Sequence, residues 1–170
     1  MEFVLKLVTV LVLAVLIAGG LLLFTPLGDE SLSGVFPVGE VEPVEFASLQ
    51  LTENPNQFLM CPPGRCSAQA HAESPVFGFP VEELRKRWDA IVAAEPRLTV
   101  LERDRSGFQV DYVQRSARFR FPDVITVRFV EVPDERSSLA VYSRSLFGKS
   151  DLGVNRERIE AWVAALEEDG

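Results

Sequence analysis

Val124-Ile125-Thr126-Val127-Arg128-Phe129-Val130-Glu131-Val132, then Pro133-Asp134-Glu135, then Leu139-Ala140-Val141-Tyr142-Ser143-Arg144-Ser145, is the stretch whose reading decides the fold. Both apolar runs are rich in β-branched and aromatic side chains, which suit a pleated surface, and the Pro-Asp-Glu break has turn chemistry. The direct reading is two antiparallel neighbours. The same rhythm continues upstream. Residues 98–101 form a short apolar run, Phe108, Val110 and Tyr112 alternate with Gln109 and Asp111, and Phe119 and Phe121 alternate with Arg118 and Arg120. A period of two marks strands with one buried face. Asp104-Arg105-Ser106-Gly107 and Pro122-Asp123 supply the breaks, so the expectation is an antiparallel meander of about four strands.

Helical spacing flanks the meander. Val81, Leu84, Trp88, Ile91 and Val92 recur on one face between Pro80 and Pro96, predicting a helix over 81–95. Near the other end Ile159, Trp162, Val163 and Leu166 share a face, with Glu160, Glu167 and Glu168 elsewhere. Helix, antiparallel strands, helix, with no alternating strand–helix units, predicts an α+β fold.

Before this lies a different kind of chain. Lys6 is followed by residues 7–24 without a charge, enough to cross a hydrocarbon layer as a helix. A signal peptide has an apolar region of about 7 to 15 residues and a small-residue cleavage site. Here Ala18-Gly19-Gly20 is followed by Leu21-Leu22-Leu23-Phe24, which favours a retained anchor with residues 3–24 in the membrane. Lys6 precedes the span and no Lys or Arg follows until Arg65, placing the amino terminus inside and the rest outside. For a bacterial inner membrane this means a single-pass protein with its carboxy-terminal domain in the periplasm. Residues 25–45 carry Pro26, Gly28, Gly34, Pro37, Gly39 and Pro43 among five acids, which reads as an extended acidic linker. The expected organisation is an anchor at 1–24, a linker at 25–45 and a globular domain at 46–170, opening with a short strand or packed arm at 46–51. A formal net charge of −8 argues against nucleic acid and against adhesion to anionic lipid.

Both cysteines fall in Cys61-Pro62-Pro63-Gly64-Arg65-Cys66. In an oxidising compartment such neighbours are expected to pair. A thiol-redox factor is the alternative, with Arg65 lowering a thiolate pKa, although the usual motif is the tighter Cys-x-x-Cys. A metal site would need Cys61, Cys66, His71 and a carboxylate such as Glu73; with one histidine in the chain, none is predicted. Gly148-Lys149-Ser150 has the look of the end of a phosphate-binding loop, but Ser143 stands where that loop needs glycine. No nucleophile has a base beside it, so neither an enzyme nor a cofactor is expected. The alternating register suggests that Arg118, Arg120, Arg128 and Arg144 gather on one side of the sheet as a candidate anion-binding patch, and the favoured alternative is that they pair with Asp111, Asp123, Glu131 and Asp151. An apolar-ligand carrier, with a pocket lined by Phe108, Tyr112, Phe119, Phe129 and Trp162, is a further alternative.

Ser143-Arg144-Ser145-Leu146-Phe147-Gly148-Lys149-Ser150-Asp151-Leu152-Gly153-Val154-Asn155-Arg156-Glu157-Arg158 resembles the signature of the domain-of-unknown-function family numbered 1499. Its members carry a Ser/Arg-rich strand end and then Gly, Asp, Gly, Asn and Arg at these spacings. The resemblance extends over residues 61–166 and includes a Cys-Pro pair followed by a second cysteine, with a departure at Ser67-Ala68, where many relatives have valine. It implies a membrane-tethered or exported protein and no agreed reaction. Read from the residues, Ser143, Ser145, Gly148, Asp151, Gly153, Asn155, Arg156 and Arg158 form a structural polar knot that ends the sheet and caps the closing helix. The leading expectation is an outward-facing domain that binds a partner protein or a small ligand, an anion among the candidates, near the membrane.

Overall fold

The hairpin expected over residues 124–145 is the centre of the sheet. In the computed structural model, which describes residues 1–24 and 34–168, six strands form: β1 (Gln57–Cys61), β2 (Ala72–Glu73), β3 (Leu98–Arg103), β4 (Gln109–Arg115), β5 (Pro122–Val132) and β6 (Arg136–Ser145). The helices with described bounds are α1 (Glu2–Phe24), α2 (Val81–Ala93) and α3 (Val154–Glu168). The chain divides into two compact units, Met1–Pro37 with Ser116–Phe121, and Val38–Arg115 with Pro122–Gly170. Residues 25–33 of the expected linker lie outside the described residues.

The larger unit is α+β. Its strand order is β2-β1-β6-β5-β4-β3. β5 and β6 pair from Asp123 opposite Ser145 to Val132 opposite Arg136. Asp134 and Glu135 turn the chain at φ 66° and 53°, the left-handed backbone whose twist matches that of the flanking strands. The other pairings are antiparallel except that of β1 with β2, which is parallel.

The expectation of about four antiparallel strands is therefore corrected to six in a mixed sheet. β1 escaped notice because all five of its residues are buried, which erases the alternation that betrays a half-buried strand. The alternation at 118–121 misled in the opposite sense. β4 passes directly to β5, with Arg115 opposite Pro122, and Arg120 takes φ 57°, which a strand excludes. Residues 117–119 form a turn, closed where the Ser116 N–H donates to the Phe121 carbonyl at 3.0 Å and the Phe121 N–H donates to Ser116 Oγ at 3.0 Å. Residues 46–51 are an arm and not a strand.

Register sorts the side chains onto two faces. Toward the helices point Phe58, Met60, Val110, Tyr112, Ile125, Val127, Phe129, Leu139 and Val141, packed against Leu84 and Trp88 of α2 and Ile159, Trp162 and Leu166 of α3. Trp88 is fully buried and meets Trp162 and Phe129 edge-on, with centroids 5.5 and 6.2 Å apart, the geometry that the ring quadrupole favours. Tyr112, Phe129 and Trp162, expected to line a carrier pocket, are thus packed into this core, with Phe108 at its margin. Phe119 belongs to the smaller unit, where its ring lies 5.6 Å from that of Phe121. On the opposite, outer face Leu59, Cys61, Ala140 and Tyr142 form a second cluster with Val44 and Phe46 of the arm.

Glu2–Leu21 of α1, charged only at Glu2 and Lys6, is long and apolar enough to cross a membrane. A retained anchor and a signal sequence share this form. For the core, Trp88→Ala is expected to cost about 3–5 kcal/mol, read as a lowered urea midpoint at unchanged m-value in the detergent-solubilised full chain.

Candidate functional site

The end of β6 and the start of α3 are joined through Gly148 and Gly153, which sit at φ 87° and 88°, backbone that glycine adopts without strain. Asp151 caps α3: its carboxylate accepts the Gly153 N–H at 3.1 Å and the Asn155 N–H at 2.9 Å. Burial alone would raise this carboxyl, but those N–H bonds, joined by the Asn155 side-chain amide, outweigh it and hold the group below the ordinary carboxylate range. Asn155 is fully buried. Its Nδ2 donates to the Asn56 carbonyl at 3.2 Å, to Ser145 Oγ at 3.1 Å and to Asp151 Oδ2 at 2.7 Å. Its Oδ1 accepts from Ser143 Oγ at 2.5 Å and Arg158 Nη1 at 2.8 Å.

Arg158 carries the network across the sheet. Nη1 reaches Ser143 Oγ at 3.0 Å, Nε reaches Gln114 Oε1 at 2.5 Å, and Nη2 reaches Asp123 Oδ2 at 2.7 Å. Asn56 closes the circuit, its Nδ2 donating to the Gly148 carbonyl at 2.7 Å. Of the eight motif residues, Ser143, Ser145, Gly148, Asp151, Gly153, Asn155 and Arg158 meet in this network. Arg156 does not: it pairs with Glu160 at 3.1 Å, and its guanidinium lies 4.6 Å from the centroid of the Phe58 ring. No local motif marks Asn56 or Gln114, and Asp123, expected as a turn residue and an arginine partner, pairs with Arg158 and with none of the four patch arginines.

The four expected arginines have different placements. Arg118 and Arg120 lie on the turn of the smaller unit, where Arg120 Nη1 donates to the Ser116 carbonyl at 3.5 Å. Arg128 and Arg144 share the outer face, Arg128 opposite Ala140 and Arg144 opposite Val124, which separates them by roughly 13 Å along the ladder. Arg144 stands over the Tyr142 ring at 5.0 Å, and its buried Nη1 has no hydrogen-bond partner among the described residues. Burial pulls its pKa down, with Tyr142 and Asp111 opposing. Asp111 is pushed up by burial and accepts a short hydrogen bond from Thr126 Oγ1. Tyr142 donates to Gln57 Oε1 at 2.7 Å.

Farther along this face a cleft of about 480 Å3 opens. Glu45, Phe46 and Ala47 of the arm form one wall, Arg65 of the disulfide loop another, and Arg128, Val130, Glu131 and Ala140 line the sheet side. Arg128 Nη1 donates to Gln109 Oε1 at 3.1 Å, and Gln109 Nε2 donates to the Val44 carbonyl at 3.0 Å, fastening the arm. The loop fastens it again: the Ser67 N–H donates to the Phe46 carbonyl at 3.0 Å and Ser67 Oγ to the Leu49 carbonyl at 2.6 Å. Cys61 and Cys66 are disulfide-bonded, with Cys61 buried in the outer-face cluster. Neither is a free ligand or nucleophile in this state, and no group of three His, Cys, Asp or Glu among the described residues is placed to hold a metal ion. Among those residues neither Arg65 nor Arg128 makes an ion pair. In the sequence Arg65 stands out as the first basic residue after Lys6 and as a neighbour of the thiols, and nothing local links it to Arg128.

A family described as "Protein of unknown function (DUF1499)" matches residues 48–166. The chain belongs to that family. The DUF1499 match spans all six strands, α2 and nearly all of α3, so the polar network and most of the cleft lie within it, while α1 and residues 25–45 lie outside. No curated protein matches the chain.

Two predictions concern the polar network of this DUF1499 domain. Asn155→Ala is expected to cost about 2–3 kcal/mol by leaving buried partners unpaired, whereas Arg156→Ala should change stability by less than about 1 kcal/mol; urea titrations compare them. A carboxyl whose folded pKa is depressed contributes stability above its unfolded value and loses it as pH falls through the folded value. The stability deficit of Asp151→Asn should therefore be full at neutral pH and shrink below about pH 4.

Proposed function

We propose that this DUF1499 member is a membrane-tethered, extracytoplasmic binding domain, not an enzyme, and that its ligand presents an anionic group to Arg65 and Arg128. α1 supplies the tether. The scarcity of Lys and Arg between Lys6 and Arg65 supports an outward-facing domain, and so does the disulfide, which persists in oxidising compartments such as the periplasm.

The observation that carries the reading is a pair of guanidinium groups lining one cleft without an ion pair among the described residues, in a chain where 25 acids face 17 basic residues. Glu45 and Glu131 line the same cleft, yet among the described residues no ion pair joins either of them to Arg65 or Arg128, and both arginines are exposed. Guanidinium forks match carboxylate, phosphate and sulfate oxygens, and Phe46 and Ala140 give an apolar neighbour for the rest of a ligand. The burial of Cys61 favours a clip that fixes the Arg65 loop over a thiol-redox factor, since a catalytic thiol needs access.

Sulfate is the probe. In melting experiments on the full chain in detergent, sulfate should raise the Tm of the wild type above that in chloride at equal ionic strength. The increment should be smaller in the Arg65→Gln/Arg128→Gln variant. Sulfate also stabilises proteins generally by exclusion from their surface, so equal increments in the two proteins contradict the reading.

A further inference from the structure

His71 is the only histidine in the chain, and the binding reading makes no use of it. It stands where β1 gains its outer neighbour. The His71 N–H donates to the Leu59 carbonyl at 2.8 Å, and the Leu59 N–H donates back to His71 Nδ1 at 2.9 Å. The imidazole thus supplies an acceptor that a strand's backbone would ordinarily supply, and it stacks on Phe58 with centroids 5.6 Å apart. Leu59 is fully buried, so its N–H has no substitute in water. The arrangement requires the neutral ring with its proton on Nε2.

We infer that His71 is a proton-operated latch on the cleft proposed above: protonation at Nδ1 detaches residues 67–73 from β1 and loosens the arm that forms the cleft wall. A proton from solvent takes the Nδ1 lone pair, and the acceptor becomes a donor facing the Leu59 N–H. The contact turns from attractive to repulsive. The ladder behind it is short, Met60 opposite Ala72 and Cys61 opposite Glu73, and parallel, the weaker pairing per residue. The opening is bounded. Cys66 is tied by the disulfide at one end, and at the other the Ser74 N–H donates to the Cys61 carbonyl at 3.2 Å while Ser138 Oγ donates to the Pro75 carbonyl at 2.7 Å. Between these pins lies Ser67, which grips the arm at Phe46 and Leu49.

The charges around the ring set the sign. From α3, Arg156 stands near enough to act on His71 and disfavours a second cation, although Glu160 offsets it through their ion pair. Glu73 is the acid of His71's own segment; β1 contributes Phe58, Leu59 and Met60, and the arm contributes Leu49, Gln50 and Leu51, all uncharged. Burial first, then Arg156, hold the ring below the ordinary histidine value. A group with a lowered pKa in the closed state favours opening as pH falls below the free value of about 6.5, and its effect saturates once the lowered value is passed. Histidine is the side chain whose ordinary titration falls between about pH 5 and 8, the range met by a domain outside the cytoplasm.

The test is amide hydrogen exchange on the full chain in detergent, read as protection factors from about pH 8 to about pH 5. Wild-type Leu59 should hold its protection above about pH 6.5 and lose up to about tenfold per pH unit below it, while Val127 in the central hairpin stays protected. His71→Asn, whose amide oxygen accepts without titrating, should keep Leu59 protection flat and high; His71→Ala should make it flat and low. A flat wild-type profile, or a parallel loss at Val127, overturns the latch. On the same samples the sulfate increment in Tm should shrink at acid pH in the wild type and not in His71→Asn. An unchanged increment despite lost Leu59 protection overturns the coupling to the cleft. Absence of any sulfate increment at neutral pH removes the cleft and leaves the latch to be judged by Leu59 alone.

Discussion

One buried amide, the side chain of Asn155, is the constraint on which the larger unit depends. Its five hydrogen bonds join the approach to β1, the end of β6, the connecting loop and α3. Through Arg158 the same network reaches β4 at Gln114 and β5 at Asp123. A buried polar cluster is costly when half satisfied and rigidifying when complete. Here the Arg158–Asp123 pair, each side chain about one-tenth exposed, would cost more than it returns without further hydrogen bonds. Gln114, Ser143 and Asn155 supply them. The rotation of α3 on the sheet is thereby fixed, and Trp162 is brought against Trp88.

With one face sealed by α2 and α3, the other is free for a different purpose. An antiparallel sheet can leave one face to water, but Leu59, Cys61, Ala140 and Tyr142 make part of this one apolar. The arm and the disulfide loop cover that part with Val44, Phe46 and their own contacts. A loop as short as Cys61–Cys66 gains less chain-entropy stabilisation than a long one. Its value is positional, because Ser67 follows Cys66 directly and holds the arm. The cleft is the gap left at the margin of this cover, and the same loop contributes Arg65 to it.

Much of this was legible in the sequence. The β5–β6 hairpin followed from β-branched runs around a turn, and the helix predicted over 81–95 is observed at Val81–Ala93, because each signal is local. β1 was illegible because burial on both sides leaves no period, and β2 because two residues are too few to show one. In the polar network the motif gave Asp151, Gly153, Asn155 and Arg158 at their spacing. Asn56 lies 99 residues from its partner Asn155, and Gln114 and Asp123 lie 44 and 35 residues from theirs, Arg158, separations that no spacing rule spans. The arginine patch rested on a strand at 118–121, and once that segment is a turn only Arg128 and Arg144 keep a common face. Arg65 joins Arg128 at the cleft because a disulfide and an arm bring it there.

Joint action of Arg65 and Arg128 on one anion, as proposed, is read by sulfate titration of the full chain in detergent, followed through the guanidinium Nε–H resonances. Arg65 and Arg128 should shift along one saturating curve with a common midpoint, while Arg105 and Arg156 stay nearly fixed. A shallow, non-saturating drift shared by all four would contradict it.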